Sequence, residues 1–72
     1  MRQVEMTLRP GSEGWWLDCD LPLEPTYYCS GGNAERVAGE IAIRISDTGR
    51  DVRLVIFDRN LGIVATRRYF GA

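Results

Sequence analysis

"NAERVAGEIAIRISDTG", residues 33–49, is the stretch where apolar residues stop alternating and recur at helical spacing. Ala34, Val37, Ala38, Ile41, Ala42 and Ile45 follow the i, i+3, i+4, i+7, i+8, i+11 pattern of one helical face. Glu35, Arg36, Glu40 and Arg44 fall on the outer side. Arg36–Glu40 and Glu40–Arg44 are i, i+4 pairs, each contributing about 0.2–0.5 kcal/mol. Ser30 or Asn33 can cap the start, and Gly49 suits a left-handed position after the end. About fifteen residues at a 1.5 Å rise give a helix roughly 22 Å long, the length of a seven-residue strand. Such a helix can lie along a sheet.

Both flanks of the helix alternate with period two. On the N-terminal side, "QVEMTLR" (3–9) sets Val4, Met6 and Leu8 against Gln3, Glu5, Thr7 and Arg9. The turn-forming "PGSEG" leads into "WWLDCDL" (15–21), with Trp15, Leu17, Cys19 and Leu21 on one face and Trp16, Asp18 and Asp20 on the other. These runs predict a hairpin. "PLEP" breaks the second strand, and "TYYC" (26–29) reads as a brief third strand.

On the C-terminal side, "DVRLVIFD" (51–58) separates Val52, Leu54 and Ile56 from Arg53, Val55 and Phe57. "RNLG" is the turn, with Gly62 free to take a positive φ, and "IVATRRYF" (63–70) is the last strand. Its inward set is either Ile63, Ala65, Arg67 and Tyr69, or Val64, Thr66, Arg68 and Phe70. The order β-β-(β)-α-β-β predicts a two-layer α+β domain. One amphipathic helix covers one face of a mostly antiparallel sheet, and residues 1–72 form a single domain.

The two cysteines bracket "CDLPLEPTYYC", residues 19–29. Pairing residues 19–21 with 27–29 about Glu24 would set Cys19 opposite Cys29 and Leu21 opposite Tyr27, all facing the core. Directly opposed Cβ atoms lie about 4.5–5.5 Å apart, too far for an unstrained disulfide. A metal would need further ligands, and the chain has no His, while Asp18 and Asp20 point away. Buried free thiols are the expected state, ahead of a disulfide or a metal.

All nine basic residues are Arg against ten acidic ones, a net charge of −1. Base composition accounts for the missing Lys more simply than selection for bidentate pairing. The near balance argues against strong non-specific nucleic-acid binding. No apolar run approaches the roughly 20 residues of a membrane span, and the N-terminus lacks a signal-peptide core. The expected location is the cytoplasm, away from membranes.

The stretches "GWW" (14–16), "AERVAGEIA" (34–42), "VIFDRNLGI" (55–63) and "YFG" (69–71) resemble a family of small bacterial and phage double-hairpin proteins. The family pattern places glycine directly after the turn Asp or Asn, whereas here Leu61 separates Asn60 from Gly62. The resemblance implies a fold and no established activity, so no functional residues carry over.

Catalysis is not expected: without His or Lys, the common nucleophile–base pairs are absent. Asp18 and Asp20 share a strand face as a solvated pair, "SGGN" reads as a cap and turn, "DRNLG" lacks the other ligands of a calcium loop, and "PLEP" matches a PxxP ligand only in letters. No cofactor is expected. The favoured function is a small non-catalytic protein-binding module. By analogy of size and composition, a phage or mobile-element inhibitor of a host defence complex, as in proteins that inhibit CRISPR effectors, is one such module. Trp16, Val55 and Phe57 are pushed to the outer face, so they are candidates for a protein-partner or homodimer surface, with Glu5, Asp18 and Asp20 as its carboxylates. The alternative is a nucleic-acid-binding domain using Arg53, Arg67, Arg68, Tyr69 and Phe70, although neighbours on a strand point to opposite faces.

Overall fold

A computed structural model of the chain describes residues 3–21 and 24–71. Its elements are β1 (Val4–Pro10), β2 (Trp15–Cys19), β3 (Thr26–Tyr28), α1 (Gly31–Ser46), β4 (Val52–Phe57) and β5 (Ile63–Tyr69). One helix packs on a five-stranded sheet ordered β3-β2-β1-β4-β5. The α+β class is as expected, but the sheet is mixed. Its two hairpins meet through a parallel pairing of β1 with β4, from Val4↔Val52 to Leu8↔Ile56. The helical connection between the hairpins permits this, because a parallel neighbour needs a crossover rather than a tight turn.

Alternation decides what enters the core. Val4, Met6 and Leu8 of β1, Leu17 of β2, and Val52, Leu54 and Ile56 of β4 are buried together under the helix. Facing them, α1 presents Ala34, Ala38 and Ala42, all fully buried. With methyl groups as its contact row, the helix sits close to the sheet, while Ile41 and Ile45 flank the contact. Ser30 is the cap: its Oγ accepts from the Asn33 N–H at 3.3 Å. At the other end Gly49 takes φ 94°, the left-handed position expected for it. Arg36 reaches Glu40 at 2.9 Å. The expected Glu40–Arg44 pair is not formed; Arg44 instead lines a groove of about 560 Å³ with Leu21, Ile41, Ile45 and Arg50.

The register of β3 differs from the expected one. It pairs Trp15↔Tyr28, Trp16↔Tyr27 and Leu17↔Thr26, so Cys19 never meets Cys29. Cys19 lies opposite Met6 of β1 and is half-buried; Cys29 is exposed; both are free. Two cross-strand aromatic pairs favour this register over one aligning the thiols. Gly14 permits it, since a Cβ there would collide with the Tyr28 carbonyl oxygen and the Tyr27 ring. Tyr27 therefore stands on the outer face with Trp16, not in the core.

The β4–β5 turn also departs from expectation. Leu61, not Gly62, takes the positive φ, at 64°. The Asp58 carboxylate accepts from the Asn60 N–H (2.8 Å) and the Gly62 N–H (2.9 Å), and Leu61 N–H donates to the Asp58 carbonyl. With residues 58–62 drawn around one carboxylate, residue 61 has to take the left-handed conformation. A bulge follows: Ile56 pairs Ala65 and Phe57 pairs Ile63, which leaves Val64 over. Beyond it Ala65 and Tyr69 pack on the core and Arg67 turns to α1, settling the inward register that alternation left open.

Candidate functional site

Among the described residues nothing covers the sheet face away from α1, and cross-strand register arranges its side chains in rows. The first row is Tyr27, Trp16 and Arg9 from β3, β2 and β1. It continues to Phe57, one step beyond the Leu8–Ile56 pair, and to Ile63 opposite Phe57. The second is Asp18, Thr7, Val55 and Thr66. The third is Asp20, Glu5, Arg53 and Arg68: the Asp20 N–H donates to the Glu5 carbonyl, Glu5 pairs Arg53, and Arg53 pairs Arg68.

At the β3 side, Trp16 and Tyr27 meet edge to face with ring centroids 5.0 Å apart, and each keeps 37% of its surface exposed. Phe57 is half-buried and Ile63 exposed. Val55 is only 7% exposed, which corrects the expectation that it offers free apolar area. Flanked on β1 and β5 by Thr7 and Thr66, it is shielded by its own sheet and contributes a flat centre rather than a projecting contact. Trp16 and Phe57 do not touch through adjacent strands, because β1 and its Arg9 lie between them.

Most charges of the face are satisfied within it. Arg9 binds Asp18 at 3.0 Å. The Arg53 guanidinium donates twice to Glu5 Oε1, at 2.9 and 3.2 Å, and Gln3 donates to Glu5 Oε2 at 2.8 Å. These bonds, Arg53 foremost, hold the Glu5 carboxyl below its ordinary value of 4.5. Asp20 and Arg68, at opposite sides of the third row, have no ion-pair partner among the described residues. Glu5, Thr7, Asp18 and Asp20 line a shallow depression of about 220 Å³, which places all three candidate carboxylates on one acidic half of the face.

The alternative cluster is divided between two layers. Arg53 and Arg68 are on the outer face, while Arg67 is held by Glu35 of α1 at 2.6 Å and Tyr69 packs on the core. Phe70 is 73% exposed at the end of β5.

Sequence reasoning missed Tyr27 and Ile63, whose faces depend on the β3 register and the β5 bulge. It also missed Arg59. The Arg59 guanidinium lies 4.9 Å from the Trp15 ring centroid and donates to the carbonyls of Gly11 (2.9 Å) and Gly14 (3.4 Å), tying the β4–β5 turn to the β1–β2 turn. Only the parallel β1–β4 contact brings those turns together, and no local pattern signals it.

Among the described residues no group of three His, Cys, Asp or Glu side chains gathers to hold a metal, and no helix is long and apolar enough to cross a membrane. No family model, curated protein or solved structure matches the chain. The resemblance to the double-hairpin family therefore rests on its quoted sequence stretches alone.

Proposed function

We propose that this protein is a small non-catalytic binding module whose partner contact is the outer sheet face. The observation that carries the reading is the half-exposed Trp16–Tyr27 pair beside paired and unpaired charges on a face that no other described residue covers. An aromatic anchor rimmed by charge is the usual composition of a contact surface, in which Trp, Tyr and Arg supply most of the affinity. Trp16 and Phe57 are the anchors, while Glu5, Asp18 and Asp20 form an acidic half that suits a basic partner surface.

Affinity capture from a nuclease-treated lysate of the source organism tests this directly. The tagged protein is expected to retain a protein partner after nuclease treatment, and Trp16→Ala and Phe57→Ala to lose it while remaining folded. Normal capture by both folded variants, or capture that depends on nucleic acid, contradicts the proposal.

A further inference from the structure

Resting on that interface reading, we propose that a second copy of this chain covers the outer face, the two sheets stacking about a two-fold axis parallel to the strands, between β1 and β4. The third row carries the reason. Across β2, β1, β4 and β5 it reads Asp20, Glu5, Arg53, Arg68, two negative charges followed by two positive ones. Asp20 and Arg68 are separated by three strand spacings, roughly 14 Å, so they cannot satisfy each other within one chain. Rotation about an axis along the strands reverses the row. Asp20 then faces the partner's Arg68, Glu5 the partner's Arg53, and both contacts occur twice.

The same rotation fits the other rows. In the second, Thr7 lies over the partner's Val55 and Asp18 over the partner's Thr66, leaving the centre small and uncharged. In the first, Trp16 lies over the partner's Ile63 and Arg9 over the partner's Phe57 ring, a cation–π arrangement. An in-plane axis perpendicular to the strands would keep Glu5 near the partner's Arg9 and Arg53 near the partner's Phe57. But it would set Asp18 against the partner's Asp18 and leave Asp20 on the partner's Trp16 and Arg68 on the partner's Ile63, so the two unpaired charges would stay unpaired. The charge pattern selects the first axis. A C2 contact must be self-complementary, and this face is.

The overlap is modest. Four strand widths by about six residues give roughly 400 Å² per copy, against roughly 800 Å² for a standard interface. A weak, concentration-dependent and salt-sensitive dimer is expected.

Sedimentation equilibrium of the wild-type protein up to about 1 mM, at about 50 and 500 mM NaCl, reads this without any variant. Dimer is expected at low salt, weakened about tenfold at high salt. Asp20→Arg and Arg68→Asp should each weaken it about tenfold or more, and the double charge swap should recover the wild-type constant to within about threefold. A monomer at about 1 mM in low salt overturns the proposal, as does a dimer indifferent to the single reversals, or a double swap no better than either one. If the protein stays monomeric while Trp16→Ala still abolishes capture of a different protein, the second copy fails and the interface reading stands.

Discussion

Leu61 holds a left-handed backbone conformation that costs a non-glycine residue about 1–2 kcal/mol, with its side chain largely in solvent. Glycine would relieve that strain at an entropic cost of about 0.5–1 kcal/mol in the unfolded chain. Leu61→Gly is therefore expected to stabilise the fold by about 0.5–1 kcal/mol in urea unfolding; an unchanged or lower midpoint would contradict it. Glu5 gives a second prediction. Its carboxyl is held below 4.5 in the fold, chiefly by Arg53 and then by Gln3. A depressed native value means that the carboxylate stabilises the fold above pH 4.5 and that this contribution fades as pH falls through the native value. The stability gap between wild type and Glu5→Gln should thus be larger at pH 7 than at pH 3, as read by urea titrations at both. A constant gap would show that the Arg53 bonds do not discriminate the charged form. At this scale the sequence assigned the faces of Glu5, Trp16, Asp18 and Phe57 correctly, because alternation within a strand is local. It put the strain on Gly62 instead of Leu61, because the Asp58 carboxylate gathers the turn amides in a way no composition rule reveals.

Elements inherit their positions from contacts that a local pattern does not carry. The helix was legible because its apolar period and its Ser30 and Gly49 ends agree. The register of β3 was not: a symmetric loop about Glu24 and the observed wider one share the same prolines, and only the Trp15–Tyr28 and Trp16–Tyr27 pairs separate them. The join between the two hairpins was equally hidden, and Arg59 is its fastening. Arg59→Ala removes two bonds to the carbonyls of the first turn and the cation over Trp15, and is expected to cost about 1–2 kcal/mol. Arg59→Lys should recover only part, because an ammonium cannot span both carbonyls and lie flat on the ring. Amide exchange at Gly14 and Trp15 should quicken in both variants. Unchanged exchange would show that the turns stay together without it.

For the whole molecule, the core is small enough that one residue decides whether it folds. Leu54, fully buried at the centre of β4, is expected to cost about 2–5 kcal/mol as Leu54→Ala, most of what a 72-residue domain has to spare. Thermal melts should show a broad transition near or below room temperature; a drop of only a few degrees would mean that the alanine row of α1 lets the helix settle into the gap. The general class was legible because a period-two run on each side of a period-3.6 run leaves few ways to bury all three apolar faces. The parallel pairing of β1 with β4 has a further consequence. Each hairpin is contiguous in the chain, and the seam between them is crossed covalently only by the segment carrying α1. A peptide ending at Ser30 would keep β1, β2 and β3, and one starting at Gly31 would keep α1, β4 and β5. Neither holds a closed core, since the first lacks a covering layer and the second leaves Leu54 and the alanines of α1 half-wrapped. Mixed together, the two pieces carry every described strand and the whole core cluster, so they are expected to be unfolded apart and to fold only by finding each other, as a gain of circular dichroism on mixing would show.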